Sequence, residues 1–208
     1  MTTDLSARWH RLTAPLVADA ARREAEFARL AAAYQAPTRH YHTLRHIENL
    51  LDRAAAAPLL DLPVVELAIW FHDAVYHALK PDNEARSAAE ALAFLRDSAL
   101  EPVRQQRVAF LIQRTADHTQ PQPPDDADLL YFLDADLSIL GASEADYQAY
   151  ARQIRQEYRR VPDLLYRPGR RKILANLLAA PELFRTPGMR AELDAAARRN
   201  LTVELTSL

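Results

Sequence analysis

His72 and Asp73 close an apolar run, Leu67-Ala-Ile-Trp-Phe-His72-Asp73, and they are the residues best placed to do chemistry. An imidazole and a carboxylate at the end of a buried helix are costly unless something compensates them, and a metal ion compensates both. Partners for such an ion exist elsewhere in the chain. Six of the seven His lie between 40 and 118, densest in Arg39-His40-Tyr41-His42-Thr43-Leu44-Arg45-His46. His42 and His46 are four apart, so on a helix they project from one face about one turn apart. Such a pair can bind one metal together, or one member can bind while the other works on substrate. Asp134 and Asp136 place two more carboxylates inside an otherwise apolar segment. The set mixes nitrogen and oxygen donors without thiolate, which excludes a structural zinc finger. It leaves positions open on a six-coordinate ion for water and substrate. An ion held this way activates water for attack on phosphorus.

The elements that must position these residues are helical nearly throughout. An amphipathic stripe predicts a helix over 16–34, and a second is expected over 43–56. Pro63 begins a third, apolar on nearly all sides and therefore central, running to about 77. Further helices are expected over 83–97, capped by Asp82, and over 102–117. The stretch Gln120-Pro-Gln-Pro-Pro-Asp-Asp126 is a loop whose acidic end starts a helix into 137. Gly141 reads as a helix stop and Ser143 as the next start. Helices over 144–159, 169–180 and 188–200 complete the expectation of one all-α domain over 1–208.

Composition agrees. Hydrophobic residues make up 49% and charged residues 26%, as in an ordinary globular protein. Three Gly in 208 residues argue against a β-sandwich or a Rossmann fold. A net charge of −2 gives no reason to expect nucleic-acid binding. The absence of Cys excludes disulfides, thiolate metal sites and a Cys nucleophile. The first residues lack a signal-peptide pattern, and no apolar run approaches the ~20 residues of a membrane span, so a cytoplasmic location is expected.

The order His … His-Asp … Asp on an all-α chain resembles the HD-domain superfamily of metal-dependent phosphohydrolases. Tyr41-His42-Thr43-Leu44-Arg45-His46-Ile47 also resembles the Tyr-His-Asn-x-x-His-Ala signature of cyclic nucleotide phosphodiesterases, with Thr43 in place of Asn, and Ala135-Asp136-Leu137-Ser138 resembles their Ala-Asp-Leu-Ser segment. The chain is much shorter than their catalytic domain, so cyclic-nucleotide specificity is not implied. A closer resemblance is to a bacterial group of predicted HD phosphohydrolases, through Tyr-His-Thr-Leu-x-His-Ile, Trp-Phe-His-Asp-Ala-Val-Tyr, Asp-Asn-Glu-x-x-Ser-Ala, Asp-Ala-Asp-Leu-Ser-Ile-Leu-Gly and Ile-Arg-x-Glu-Tyr, over residues 38–203.

The resemblance implies an HD-type helical bundle in which His46, His72, Asp73 and Asp136 ligate a divalent metal (Mn, Mg, Fe, Co, Ni or Zn), one or two ions per chain. His42 would be the general acid that protonates the leaving oxygen. Asp134 is the rival of Asp136 for the last ligand. His77, four after Asp73, and His118, at a helix end, are candidates for a second ion. Glu84 is a candidate to position the attacking water, against the plainer role of a first-turn Glu favoured by the helix dipole. Arg155, Arg170, Arg171 and Lys172 are candidate phosphate binders. The expected substrate is a small phosphorylated, nucleotide-like molecule, with no membrane or nucleic-acid partner and a homodimer left open. The alternatives are a di-iron oxygenase on the same scaffold and a non-catalytic nucleotide-binding or regulatory module.

Overall fold

The computed structural model describes residues 2–208. Among the described residues every regular element is helical and there is no strand, so the all-α expectation holds. None of these helices is long and apolar enough to cross a membrane. The chain divides into two compact units, one up to Ala116 and one over Asp117–Leu208. The division falls just ahead of the proline-rich loop.

The first unit contains α1 (Thr2–Thr13), α2 (Ala20–Tyr34), α3 (Leu44–Ala55), α4 (Leu62–Phe71), α5 (Asn83–Leu95) and α6 (Pro102–Arg114). Helix α4 is its centre and packs against α1, α3, α5 and α6. Its apolar circumference explains this: Val64, Val65, Leu67, Ala68, Ile69, Trp70 and Phe71 are all buried. Asp61 caps its start by accepting from the Val64 amide, and Arg104 from α6 grips the same carboxylate through two nitrogens at 2.7 and 2.8 Å.

Helix α1 was not part of the expected element set. Its Trp9 is fully buried and meets Trp70 edge-on at 5.4 Å and Phe94 at 5.3 Å. Helix α2 starts later than the stripe suggested, because Asp19 caps it by accepting from Ala21 and Arg22.

Helix α4 stops at Phe71, not near 77. The backbone beyond it finds side chains in place of helical partners. The Tyr34 hydroxyl donates to the Trp70 carbonyl, and Ser87 Oγ both accepts from the Val75 amide and donates to its carbonyl. Asn83 does the same for His77, accepting from its amide and donating to its carbonyl and that of Lys80.

The second unit contains α7 (Ala127–Asp136), a 3₁₀ turn (Leu137–Gly141), α8 (Glu144–Glu157), α9 (Asp163–Ala179) and α10 (Pro187–Ser207). Helix α10 packs against α7, α9 and the 3₁₀ turn. Gly141 ends that turn as expected, and its glycine is needed: a Cβ there would lie 2.6 Å from that of Leu193 on α10. Helix α9 begins six residues before the expected 169 and runs through Pro168, which forgoes only a bond to the carbonyl of exposed Leu164 near the helix start. Helix α10 continues seven residues past the expected end at 200.

Candidate metal centre

In the first unit, His42, His46, His72 and Asp73 come together. His46 sits on the first turn of α3, buried, while His72 follows the last residue of α4. Their Nε2 atoms are 3.2 Å apart. Asp73 Oδ2 is 3.1 Å from His72 Nε2 and 3.9 Å from His46 Nε2. Two ligands about 2.1 Å from a shared ion are themselves ~3.0 Å apart at a right angle and ~3.4 Å apart in a tetrahedron. The two shorter separations have that scale.

The tautomer of His72 follows from its other nitrogen. Nδ1 lies 2.9 Å from the Ile69 carbonyl, which can only accept, so Nδ1 carries the proton. In the neutral ring Nε2 is then left with a lone pair, directed at a second imidazole nitrogen and at a carboxylate oxygen. Lone pairs converging in a buried place call for a proton or a cation between them. Burial works against ionisation of Asp73, but the positive charge that His72, His42 and His46 carry when protonated outweighs it and holds this carboxyl well below the usual range. Such a group stays an anionic ligand in mild acid.

His42 reaches this place by a route other than the helical spacing. It precedes Thr43, the N-cap of α3, so it is not on the helix. Its ring stacks on Tyr76 at 4.2 Å, with the His46 ring centre 6.2 Å away. Arg39 holds both sides of the arrangement. Its buried guanidinium donates to the carbonyls of Asp73 at 2.6 Å and Ala74 at 2.9 Å, and more weakly to that of His42 at 3.4 Å. The residue reading did not single out Arg39. The available signal was an Arg at the head of the His-rich run, indistinct in a chain whose Lys and Arg total 26 with only two Lys.

One expectation for this unit changes. His77 was placed four residues from Asp73 on one helix, but α4 has already ended. His77 is exposed on an irregular segment, with its backbone latched by Asn83. In the Asp-Asn-Glu-x-x-Ser segment, Asn83 and Ser87 serve the backbone of residues 75–80. Glu84 lies half-buried in the first turn of α5.

In the second unit, the two rival carboxylates separate cleanly. Asp134 is fully buried and accepts from the Arg185 amide, the Thr186 amide and the Thr186 hydroxyl, all within 3.0 Å. It pins the two residues that lead into α10, and its oxygens are committed there. Burial raises its carboxyl above the ordinary range, and these hydrogen bonds only partly offset that. Asp136 ends α7 and lies 3.1 Å from His118 Nε2. His118 is not at a helix end, because α6 stops at Arg114, where Thr115 Oγ1 takes the Ile112 carbonyl. The His118 carbonyl accepts from Arg185, and its buried Nδ1 has no hydrogen-bond partner.

The phosphate-binding expectation is corrected for two residues. Arg155 donates to Asp163 and to the carbonyls of Tyr158 and Val161, and lies 4.5 Å from the Tyr166 ring, so its fork is used to close the α8–α9 turn. Arg170 is buried in a two-pronged pair with Glu204 at 2.7 and 2.9 Å, and Glu204 also accepts from the Tyr147 hydroxyl. Arg171 and Lys172 are exposed on α9.

Comparison of the chain with protein-family models, with curated proteins and with solved structures finds no match.

Proposed function

We propose that this chain is a metal-dependent phosphohydrolase acting on a small, nucleotide-like phosphate ester. The observation that carries the reading is the convergence of His46 Nε2, His72 Nε2 and Asp73 Oδ2, with His42 alongside. His46, His72 and Asp73 would hold the ion. Asp136 joins the set through its place in the order His … His-Asp … Asp, and the commitment of Asp134 to α10 favours it over its rival. A bound divalent ion supplies Lewis acidity toward phosphate oxygen and a water nucleophile at neutral pH.

The chain's own residues do the rest. The Ile69 carbonyl fixes the His72 ring so that Nε2 faces His46 and Asp73, where an ion would be held. Asp73 contributes negative charge that lowers the cost of gathering a cation in a buried place. His42 stands outside the ligand set, half-buried against Tyr76, and donates a proton to the leaving oxygen.

The test is elemental analysis of the purified protein together with a panel of phosphate mono- and diesters assayed with Mn²⁺, Co²⁺ and Mg²⁺. The expected result is at least one divalent ion per chain and metal-dependent release of phosphate or alcohol. Protein that takes up none of these ions and cleaves no ester in the panel refutes the reading.

A further inference from the structure

Asp73 and His42 lie on two irregular segments, one after α4 and one before α3. No helical ladder fixes either of them. One side chain ties the two segments together. Arg39 donates through Nη1 to the carbonyls of Asp73 and His42, and through Nη2 to that of Ala74. Its Cζ also lies 4.9 Å from the Tyr34 ring centre and 5.7 Å from that of Tyr76, and Tyr76 in turn stacks on His42. A buried guanidinium aimed at carbonyl groups is an expensive way to fill space, since a neutral side chain would pack at lower desolvation cost. What the guanidinium adds is a planar fork that can span two neighbouring carbonyls while lying over an aromatic ring.

We propose that Arg39 is a positioning residue, holding the Asp73 carboxylate and the His42 imidazole in one mutual geometry for metal binding and proton donation. The inference rests on the metal reading above. Lysine cannot replace it, because an ammonium is a single compact donor centre without the planar face that lies over the Tyr34 ring or the two nitrogens that reach Asp73 and Ala74 in parallel.

The test compares the full-length wild type with Arg39→Lys and Arg39→Gln by three measurements. These are the melting temperature, the affinity for Mn²⁺ alone, and the imidazole nitrogen resonances of the metal-free protein. His10, paired with Glu24, serves as the internal reference. The expected result is a folded Arg39→Lys protein whose Mn²⁺ affinity falls about 10–100-fold, as when an outer-shell partner of a metal ligand is lost. Its His42 resonances shift while those of His10 do not.

A folded variant with wild-type His42 resonances and Mn²⁺ affinity within about twofold of wild type overturns the proposal. Failure of both variants to fold also overturns it, since Arg39 would then be a determinant of the fold. If the wild type binds no Mn²⁺ and cleaves no ester, the metal reading falls by itself. The His42 resonances of the metal-free proteins then decide the role of Arg39.

Discussion

Asp73 and Asp134 are both carboxylates set in apolar surroundings, one in each unit, and their partners differ in kind. Asp134 meets two amide N–H groups and a hydroxyl, all donors, and needs nothing more. Asp73 meets imidazole nitrogens, one of which has its proton on the far side of the ring. Burial pushes Asp134 up. It pushes Asp73 the same way, but there the positive charge of the imidazoles, once protonated, reverses the sign. A buried carboxylate among fixed donors is a structural pin, whereas one among lone-pair nitrogens is an invitation to a cation.

Substitution breaks this contrast most directly. Asp134→Ala strands two amides and a hydroxyl at the start of α10, and at roughly 1–3 kcal/mol for each buried unsatisfied group the loss should reach several kcal/mol. Thermal or urea unfolding measures it, and an unchanged midpoint would show that the pin is dispensable. Asp73→Ala should show first in the metal readout: metal content lost, and added metal no longer raising the melting temperature. Elemental analysis decides, and retained metal would remove Asp73 from the ligand set.

Chelation ranks next. If an ion binds the folded chain only, adding it at about 100 times its dissociation constant should raise stability by roughly 2.7 kcal/mol, reversed by a chelator. The melting temperature of Asp134→Asn should respond to metal as the wild type does, and that of Asp73→Asn should not. Equal responses would erase the distinction between the two carboxylates.

The smallest effect is in titration. In metal-free protein the Asp134 carboxyl carbon should titrate above about 3.9, the ordinary Asp value, and that of Asp73 below it. The signs for stability follow. Asp73 stabilises the fold above the unfolded value and loses that contribution as pH falls through its depressed folded value. Asp134, raised on folding, binds a proton that the unfolded chain has released, so its contribution declines as pH rises through its folded value. Carboxyl resonances followed from acid to neutral pH test both, and inflections on the same side of the ordinary value would contradict the contrast.

The helices were readable where one physical rule governed. Pro63 announces α4, its apolar circumference announces its central place, and Gly141 announces a helical stop. The ends were less readable where tertiary partners compete with the helical ladder. Nothing local to residues 72–77 says that Arg39, Asn83 and Ser87 will take up the backbone there. The grouping of His42, His46, His72 and Asp73 could be anticipated from residue type and order, though His42 arrives by stacking and not by helical spacing. Arg39, Arg155 and Arg170 were hard to tell apart from surface arginines, because their partners are carbonyls and carboxylates distributed along the chain.

The latches on the segment after α4 have a kinetic consequence. The amides of Val75 and His77 are each shielded by a single side-chain oxygen, from Ser87 and Asn83, and not by a cooperative ladder. Their hydrogen exchange should therefore be separable residue by residue. Ser87→Ala should speed exchange at Val75, and Asn83→Ala at His77, each leaving the α4 interior protected. The stretch that carries Asp73 is in that sense a row of independent buttons, and each can be undone without opening the helix that precedes it.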